Sequence, residues 1–318
     1  MTVKFILLIL IIYGCLFLGY VLKRMRGDLS RLSKSLARNF MIFLAPVVIL
    51  NSFWSIDFKI GLMGFLPLVY IVITNVTLIP AFLVSKMLKL NKLEKGSFIS
   101  CTVFSNVGLT MGGILCFIFY GDQGLYLSSF YISLFIPHYY FVGFPLMSVF
   151  SKEKKVKLKK VVRELFNNPV SIVPISFMCA GLVLNFTGIP RPQLLNQITT
   201  RLLVYIAVAG YSLAIGLGLS FSGSIKYIKH SLYISGIKFI FTPLIGLLAL
   251  TVMGFLRFED LLPAKVIFIE SFMPTAIMSV LLVKLFNLNE DLANASWILT
   301  NMLSIPVIPL IWMLQKLI

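Results

Sequence analysis

Charged residues are scarce in this sequence. Only 12% of its 318 residues are Asp, Glu, Lys or Arg, and 59% are hydrophobic; a soluble domain carries roughly twice that charged fraction. Most of the chain is therefore predicted to lie within a lipid bilayer. The 28 Lys and Arg outnumber the 11 acidic residues, but they lie in short segments between apolar runs. None of these segments could form a basic face on a folded domain, so we expect no nucleic-acid partner.

Cysteine and histidine are also few. The four Cys each lie within an apolar run, and their spacing fits neither a metal site nor a disulfide framework. We interpret them as small buried hydrophobic residues. The two His are too few for a His-based metal cluster. The sequence thus predicts no metal site and no cofactor, apart from a coupling H⁺ or Na⁺.

Long apolar runs make up most of the chain, and each is near the length that crosses about 30 Å of hydrocarbon as a helix. Within lipid such a run must be helical, because an open strand would leave its amides unpaired. The sequence therefore predicts an all-α integral membrane protein with ten spans. They fall at about 5–22, 39–54, 62–84, 97–120, 125–150, 170–187, 198–220, 230–254, 264–285 and 293–315.

The connections between these runs indicate an orientation. Most Lys and Arg lie in alternate connections, above all in the basic stretch at 151–169. Cytoplasmic loops carry the excess of Lys and Arg, so these connections are predicted to be cytoplasmic and both termini extracytoplasmic. We expect a multi-pass protein of the plasma membrane whose basic loops also contact anionic lipids.

The basic linker at 151–169 divides the chain into a first half, 1–150, and a second half, 170–318, with five spans each. Because five is odd, two halves of the same fold would have opposite orientations, which is the inverted repeat of many secondary transporters. Short segments recur in the same order in the two halves. "NVTLIP" (75–80) matches "KFIFTP" (238–243), and "IPHYYFVGFPLM" (136–147) matches "IPVIPLIWML" (305–314).

Two spans are interrupted at corresponding places. Span 4 contains "SNVGLTMGG" (105–113), and span 9 contains Pro274 within "ESFMPTAIMS" (270–279). Glycine permits unwinding, and proline removes a helical hydrogen bond. Unwound backbone at membrane depth persists only where it is buried or lines a wet cavity. The alternative is that the small residues serve only close helix packing.

These interruptions carry a family resemblance. The span-4 string resembles the Asn-x-Gly-x-x-Gly-x-Pro segment of the auxin efflux carrier family, whose bacterial members include malate and other organic-acid permeases. Span 9, the start of span 10, "NNP" at 167–169, and Lys238 with Pro243 are also similar to that family. One departure stands in span 4, where Gly112 or Gly113 replaces the family proline. Glycines are therefore expected to break span 4, whereas Pro274 breaks span 9 and Pro46 breaks span 2.

The resemblance implies a scaffold of spans 1, 2, 6 and 7 and a transport domain of spans 3–5 and 8–10. Broken spans 4 and 9 would cross beside the substrate, and an elevator-type movement would expose it to each side in turn. Asn106 matches the family Asn that holds a substrate carboxylate. A homodimer through the scaffold helices is also implied. We add further candidate substrate-binding residues from the interruptions and spans 3 and 10: Ser105, Gly108, Thr110, Pro274, Thr275, Asn75 and Asn301.

Three ionisable residues within spans are candidates for ion coupling or charge balance. Lys238 would be costly in lipid unless it is paired, and we expect it either to pair with Glu270 or to replace a bound cation in tethering the crossing; the alternative is that it reaches the membrane interface. Glu270 is either a proton or sodium site or a carboxylate facing an outer vestibule. His138 is either a structural, hydrogen-bonded residue or a proton relay.

The sequence therefore predicts a secondary active transporter of a small organic anion, a carboxylate by preference. The alternative is a sodium-coupled solute symporter or a cation/proton antiporter on a related inverted-repeat fold. We do not expect an enzyme, because no Ser–His or His–Asp set has a plausible spacing. A channel is disfavoured because no filter-like repeat appears.

Overall fold

The computed structural model describes residues 2–27, 29–56, 63–152, 158–195, 197–218, 224–257 and 259–318. Most of these residues are helical. The α-helices are α1 (Thr2–Arg26), α2 (Ser30–Asn39), α3 (Ala45–Ser55), α4 (Leu66–Val76), α5 (Leu78–Met87), α6 (Lys92–Val103), α7 (Gly112–Tyr131), α8 (Phe135–His138), α9 (Phe144–Phe150), α10 (Leu158–Asn167), α11 (Pro169–Phe186), α12 (Gln197–Gly218), α13 (Ile228–Gly236), α14 (Thr242–Val252), α15 (Leu262–Ser271), α16 (Ile277–Leu285) and α17 (Glu290–Leu314).

Within the described residues, five helical stretches are long and apolar enough to cross a bilayer. They are Met63–Met87, Gly112–Phe150, Pro169–Phe186, Ile225–Val252 and Glu290–Leu314, and Phe40–Ser55 and Leu202–Gly218 are shorter apolar helices. The predicted class, an all-α multi-pass membrane protein, is confirmed. The count of ten spans and the inverted repeat stay predictions.

Three π-helical turns each precede a proline-bearing helix. Phe40–Leu44 leads into α3 with Pro46, Tyr139–Gly143 into α9 with Pro145, and Ile237–Phe241 into α14 with Pro243. Proline cannot donate the helical hydrogen bond and crowds the turn before it, and a wider turn accommodates both effects. Pro46 was expected to break its helix; instead the chain stays helical through it, because the π turn absorbs the distortion.

One long helix bends at a glycine. Gly121 lies within α7 with φ 67° and ψ −150°, which is a left-handed φ that side-chain-bearing residues rarely adopt. Spans 4 and 5 were predicted to end at residue 120 and to begin at 125. The bend therefore lies at the predicted connection between them.

The chain divides into two compact units, each drawing on both halves of the sequence. Unit 1 comprises Met1–Asp57, Gly113–Phe130 and Phe166–Ser220, and unit 2 comprises Phe58–Gly112, Tyr131–Leu165 and Phe221–Ile318. The assignment of scaffold and transport roles stays a prediction.

Unit 1 contains helix pairs that approach closely at glycines. In α1 and α12, a Cβ on Gly19 or Gly216 would collide with the carbonyl of Leu213 or Leu16, respectively. In α3 and α11, a Cβ on Gly181 would reach the carbonyl of Leu50 at 2.7 Å. Small residues at such contacts let backbones approach in lipid, where packing replaces the hydrophobic effect as the force between helices.

Unit 2 contains the interrupted helices and the helices that pack around them. α13 packs on α17, with the Ser231 and Ser296 hydroxyls 3.1 Å apart. α6 contacts both α16 and α17. Asn91 caps the start of α6 by accepting a hydrogen bond from the Glu94 amide, and the Glu94 side chain accepts one from the Asn91 amide in return. The start of α6 is thus fixed, and the first interruption follows the other end of this helix.

Candidate functional site

The first interruption comprises residues 104–111, between the end of α6 and the start of α7. Its backbone is extended at Phe104 and Val107 and forms a short 3₁₀ turn at Gly108–Thr110. Gly108 has φ +66°, and a Cβ there would collide with the Ile132 side chain. Gly108 is therefore the residue that permits the unwinding.

Gly112 and Gly113 were expected to break span 4, and this expectation is corrected in one respect. Both residues lie in the first turn of α7. They therefore begin the helix that follows the interruption and are not part of the interruption. Gly112 is nevertheless required by space, because a Cβ on it would collide with the Glu270 carboxylate.

The second interruption comprises residues 272–276, between α15 and α16, and includes Pro274. The two interruptions pair as short antiparallel segments, with a β-bridge between Ser105 and Thr275. The Asn106 amide donates to the Pro274 carbonyl at 2.7 Å, and the Ala276 amide donates to the Phe104 carbonyl at 3.0 Å. Each interruption thus satisfies backbone groups that the other frees, as buried backbone groups require.

Asn106 lies in the middle of the first interruption. The residue is 6% exposed. Its backbone is fully used, because its amide binds Pro274 and its carbonyl accepts from the Gly112 amide at 3.2 Å. Within the described part of the chain, however, its side-chain amide has no hydrogen-bond partner. The side chains of Asn51, Asn185 and Asn301, by contrast, are hydrogen-bonded.

Lys238 holds one end of this segment. Lys238 is fully buried, and its Nζ donates to Ser105 Oγ at 2.6 Å. One predicted alternative was an ion pair with Glu270. Among the described residues the ammonium group binds Ser105 instead, because the π turn Ile237–Phe241 places it beside the first interruption. Lys238 therefore tethers the residue that adjoins Asn106.

Glu270 holds the other end. It is 1% exposed, and its two carboxylate oxygens accept from the Gly108 amide at 3.3 and 3.2 Å. The carboxylate also lies against Gly112, the first residue of α7. A negative charge at the start of a helix is stabilised by the helix dipole. Two buried groups of opposite charge thus fix the segment on either side of Asn106.

A family model described as a membrane transport protein matches residues 4–312. The chain belongs to the auxin efflux carrier family of membrane transport proteins. The resemblance carried by the interrupted spans is confirmed, and so is the expectation that the chain is not an enzyme, because this is a transport family. No curated protein matches the chain.

In this member of the auxin efflux carrier family, neutral side chains hold the second interruption. Thr275 is fully buried and its Oγ1 donates to the Cys101 carbonyl at 2.9 Å. Its amide donates to Thr300 Oγ1 at 3.2 Å, and its carbonyl accepts from Asn301 Nδ2 at 3.3 Å. Thr275 and Asn301, both predicted as substrate-binding, are thus engaged with the protein itself.

The remaining predicted residues are placed as follows. Thr110 lies in the first interruption, where its hydroxyl donates to the Val107 carbonyl at 3.0 Å. Asn75 and His138 form a pair of their own, with Asn75 Oδ1 3.2 Å from His138 Nε2. This contact agrees with the structural alternative for His138. Neither residue hydrogen-bonds to the interruptions within the described residues.

A small cavity adjoins the interruptions in unit 2. The centre of a water molecule can occupy about 10 Å³ of it, which is enough space for about one water. Its lining includes Ser105 and Glu270 together with Tyr70, Thr74 and Thr242. Tyr70, Thr74 and Thr77, also in the lining, were missed by the sequence analysis. Their spacing of four and three residues, which places them on one helix face, is the signal that could have found them.

Proposed function

We propose that this family member is a secondary active transporter of a small organic anion, and that the substrate carboxylate binds at the paired interruptions. The Asn106 side chain carries this proposal. It is buried, it sits between two anchored residues, and its amide has no partner among the described residues. The amide can therefore donate to a carboxylate without losing an existing hydrogen bond.

The charges around Asn106 support an anion over a cation. The Glu270 carboxylate already receives the Gly108 amide and lies at the start of α7. The Lys238 ammonium has one neutral partner, the Ser105 hydroxyl. The cationic group is therefore the less compensated of the two, and the residue that it binds, Ser105, directly precedes Asn106 in the chain. An anion bound there would be stabilised by the Lys238 ammonium group and by the Asn106 amide.

A movement of the protein is part of the proposal. The cavity beside Ser105 and Glu270 has space for about one water molecule, which is too little for an organic acid. In the proposal, elevator-type alternating access opens this region to each side in turn. The proposed architecture has ten spans as an inverted repeat, both termini extracytoplasmic and the basic 151–169 loop cytoplasmic, in the plasma membrane. Membrane lipids and a second copy of the chain are the proposed partners.

A second candidate is coupling to a cation, as in a sodium-coupled symporter or a cation/proton antiporter. The observation that favours it is the buried Glu270 carboxylate in the lining of the cavity. Buried ionisable groups within spans commonly belong to ion pathways. Glu270→Gln separates the two candidates, because it removes a cation site while leaving Asn106 and Lys238 in place.

The test is uptake into proteoliposomes of a panel of radiolabelled mono- and dicarboxylates, with and without sodium and proton gradients. We expect wild-type protein to accumulate at least one acid and Asn106→Ala to lose at least tenfold in uptake rate, because a hydrogen bond to a charged group is worth about 1.5–3 kcal/mol. Asn106→Asp should be worse, since it repels the anion.

The matched control is Asn294→Ala, which removes a half-buried Asn on α17 outside the interruptions. It should transport at the wild-type rate. Transport by Asn106→Ala at the wild-type rate, or a wild-type protein that moves no acid of the panel under any gradient, would refute the proposed function.

A further inference from the structure

An arginine in unit 1 is held in an unusually rigid setting. Arg191 lies in the connection between α11 and α12, in the sequence Ile189-Pro190-Arg191-Pro192. Each proline fixes its own φ, and each also restricts the residue before it to extended backbone. Pro192 therefore restricts the backbone of Arg191, and Pro190 fixes the φ of the residue before it.

The connection that carries Arg191 is tied to the end of α3. Asn185 Nδ2 donates to the carbonyls of Trp54 and Ile56, both at 2.8 Å. The Trp54 indole donates to the Ile189 carbonyl at 2.9 Å. These bonds cap carbonyls that the end of a helix leaves free. They also fix the connection two residues before Arg191.

The guanidinium group is fixed through one nitrogen. Arg191 Nη1 contacts Ser55 Oγ at 2.8 Å, Asn51 Oδ1 at 3.3 Å and the Tyr126 hydroxyl at 3.3 Å. Asn51 is 1% exposed and Tyr126 is 8% exposed, while Arg191 itself is half-buried. All three acceptors are neutral. Among the described residues, no carboxylate lies within ion-pair distance of Arg191.

The other edge of the guanidinium group has no acceptor among the described residues. Arg191 has five N–H donors, and in the described part of the chain its hydrogen bonds all run through Nη1. The Nε and Nη2 donors form the edge that matches two oxygens of a carboxylate or phosphate. A charged, half-buried and rigid group with an open two-donor edge is preorganised for such a ligand.

We propose that Arg191 is an oxyanion-binding residue, which takes a carboxylate or phosphate group bidentately through Nε and Nη2. The site shares no residue with the interruptions, because all of its residues belong to unit 1, and it does not depend on the function proposed for the interruptions. The oxyanion has two sources, a soluble acid or the phosphate of a lipid headgroup. Ser55, Asn51 and Tyr126 act as positioning residues that hold Nη1.

The test is binding by the purified full-length protein, with two sets of probes. Malate and inorganic phosphate are titrated against detergent-solubilised protein by calorimetry. Retention of phosphatidylglycerol relative to phosphatidylcholine is measured by native mass spectrometry after purification from mixed vesicles. The variants are Arg191→Gln, Arg191→Lys and the control Arg257→Gln, which removes one exposed charge from a 3₁₀ turn of unit 2.

We expect Arg191→Gln to weaken binding about tenfold or more for one probe set, and Arg257→Gln to leave it unchanged. Loss confined to malate and phosphate assigns a soluble acid, and loss confined to phosphatidylglycerol assigns a lipid headgroup. Arg191→Lys keeps the charge and is the control for misfolding of Arg191→Gln. It should also bind more weakly than wild type, because an ammonium group lacks the two-donor edge. Equal binding of every probe by wild type and both Arg191 variants would overturn the proposal.

Discussion

The two interruptions both separate two helices, but different kinds of side chain anchor them. The first, at 104–111, is longer, contains a left-handed glycine and is anchored by two buried ionisable side chains, Lys238 and Glu270. The second, at 272–276, contains Pro274 and is anchored by the neutral side chains of Thr300 and Asn301. The breaks that looked alike in the sequence are therefore stabilised differently.

This difference indicates which interruption responds to charge. The free energy of hydrogen bonds between neutral groups, like those of Thr275, changes little when an ion comes near. Those on Ser105 and Gly108 involve ionisable partners, which gain or lose free energy when another charge approaches through a medium of low dielectric. We therefore expect a nearby charge to affect the first interruption more than the second.

The largest effect is expected from Gly112→Ala. Its Cβ would collide with the Glu270 carboxylate, so the carboxylate must leave the Gly108 amide and the first interruption loses one of its two anchors. Overpacking and a buried amide without an acceptor together cost on the order of 3 kcal/mol. We expect a lower melting temperature in detergent and near loss of uptake in proteoliposomes.

Gly236→Ala is the control for this change. Gly236 ends α13, and a Cβ there meets no atom within 4 Å, so alanine should be neutral or stabilising by up to about 1 kcal/mol. A Gly112→Ala protein that melts and transports like Gly236→Ala would show that Glu270 does not anchor the first interruption.

The sequence predicted the places of both interruptions but not their mechanics. Glycine and proline mark where a helix can break, because their effects are local. Which glycine unwinds was not predictable: Gly108 rather than Gly112 takes the left-handed φ, and this depends on how α6 and α7 are anchored. The composition also sufficed to predict the all-α membrane class, because it reports burial in lipid.

The sequence did not predict which residues far apart in the chain contact each other. Lys238 was recognised as costly, but its partner Ser105 lies 133 residues away. The Arg191 cluster joins residues 136 and 140 positions apart, and no periodic pattern connects them. Such contacts depend on tertiary packing, which hydropathy does not encode.

A smaller effect is expected from Thr300→Val, which tests the neutral side of the comparison. Thr300 is fully buried, and its Oγ1 accepts from the Thr275 amide. Valine keeps the shape but leaves that amide without its acceptor, at a cost of about 1–3 kcal/mol. The measurement is thermal unfolding beside Thr251→Val, an exposed threonine that bonds within its own helix and should change stability by less than about 0.5 kcal/mol. Equal melting temperatures for the two variants would mean that Thr300 does not support the second interruption.

The smallest effect is expected from Pro274→Ala. The group of Pro274 that the structure uses is its carbonyl, which accepts from the Asn106 amide, and alanine keeps that carbonyl. The neighbouring Thr275 is held through both its amide and its carbonyl, so the interruption should persist without proline. We expect a loss of about 1 kcal/mol or less, chiefly from the added freedom of the unfolded chain, and uptake close to wild type. If Pro274→Ala instead abolished uptake as Gly112→Ala is expected to, the proline itself would maintain the second interruption, and the hydrogen bonds from α17 would be secondary.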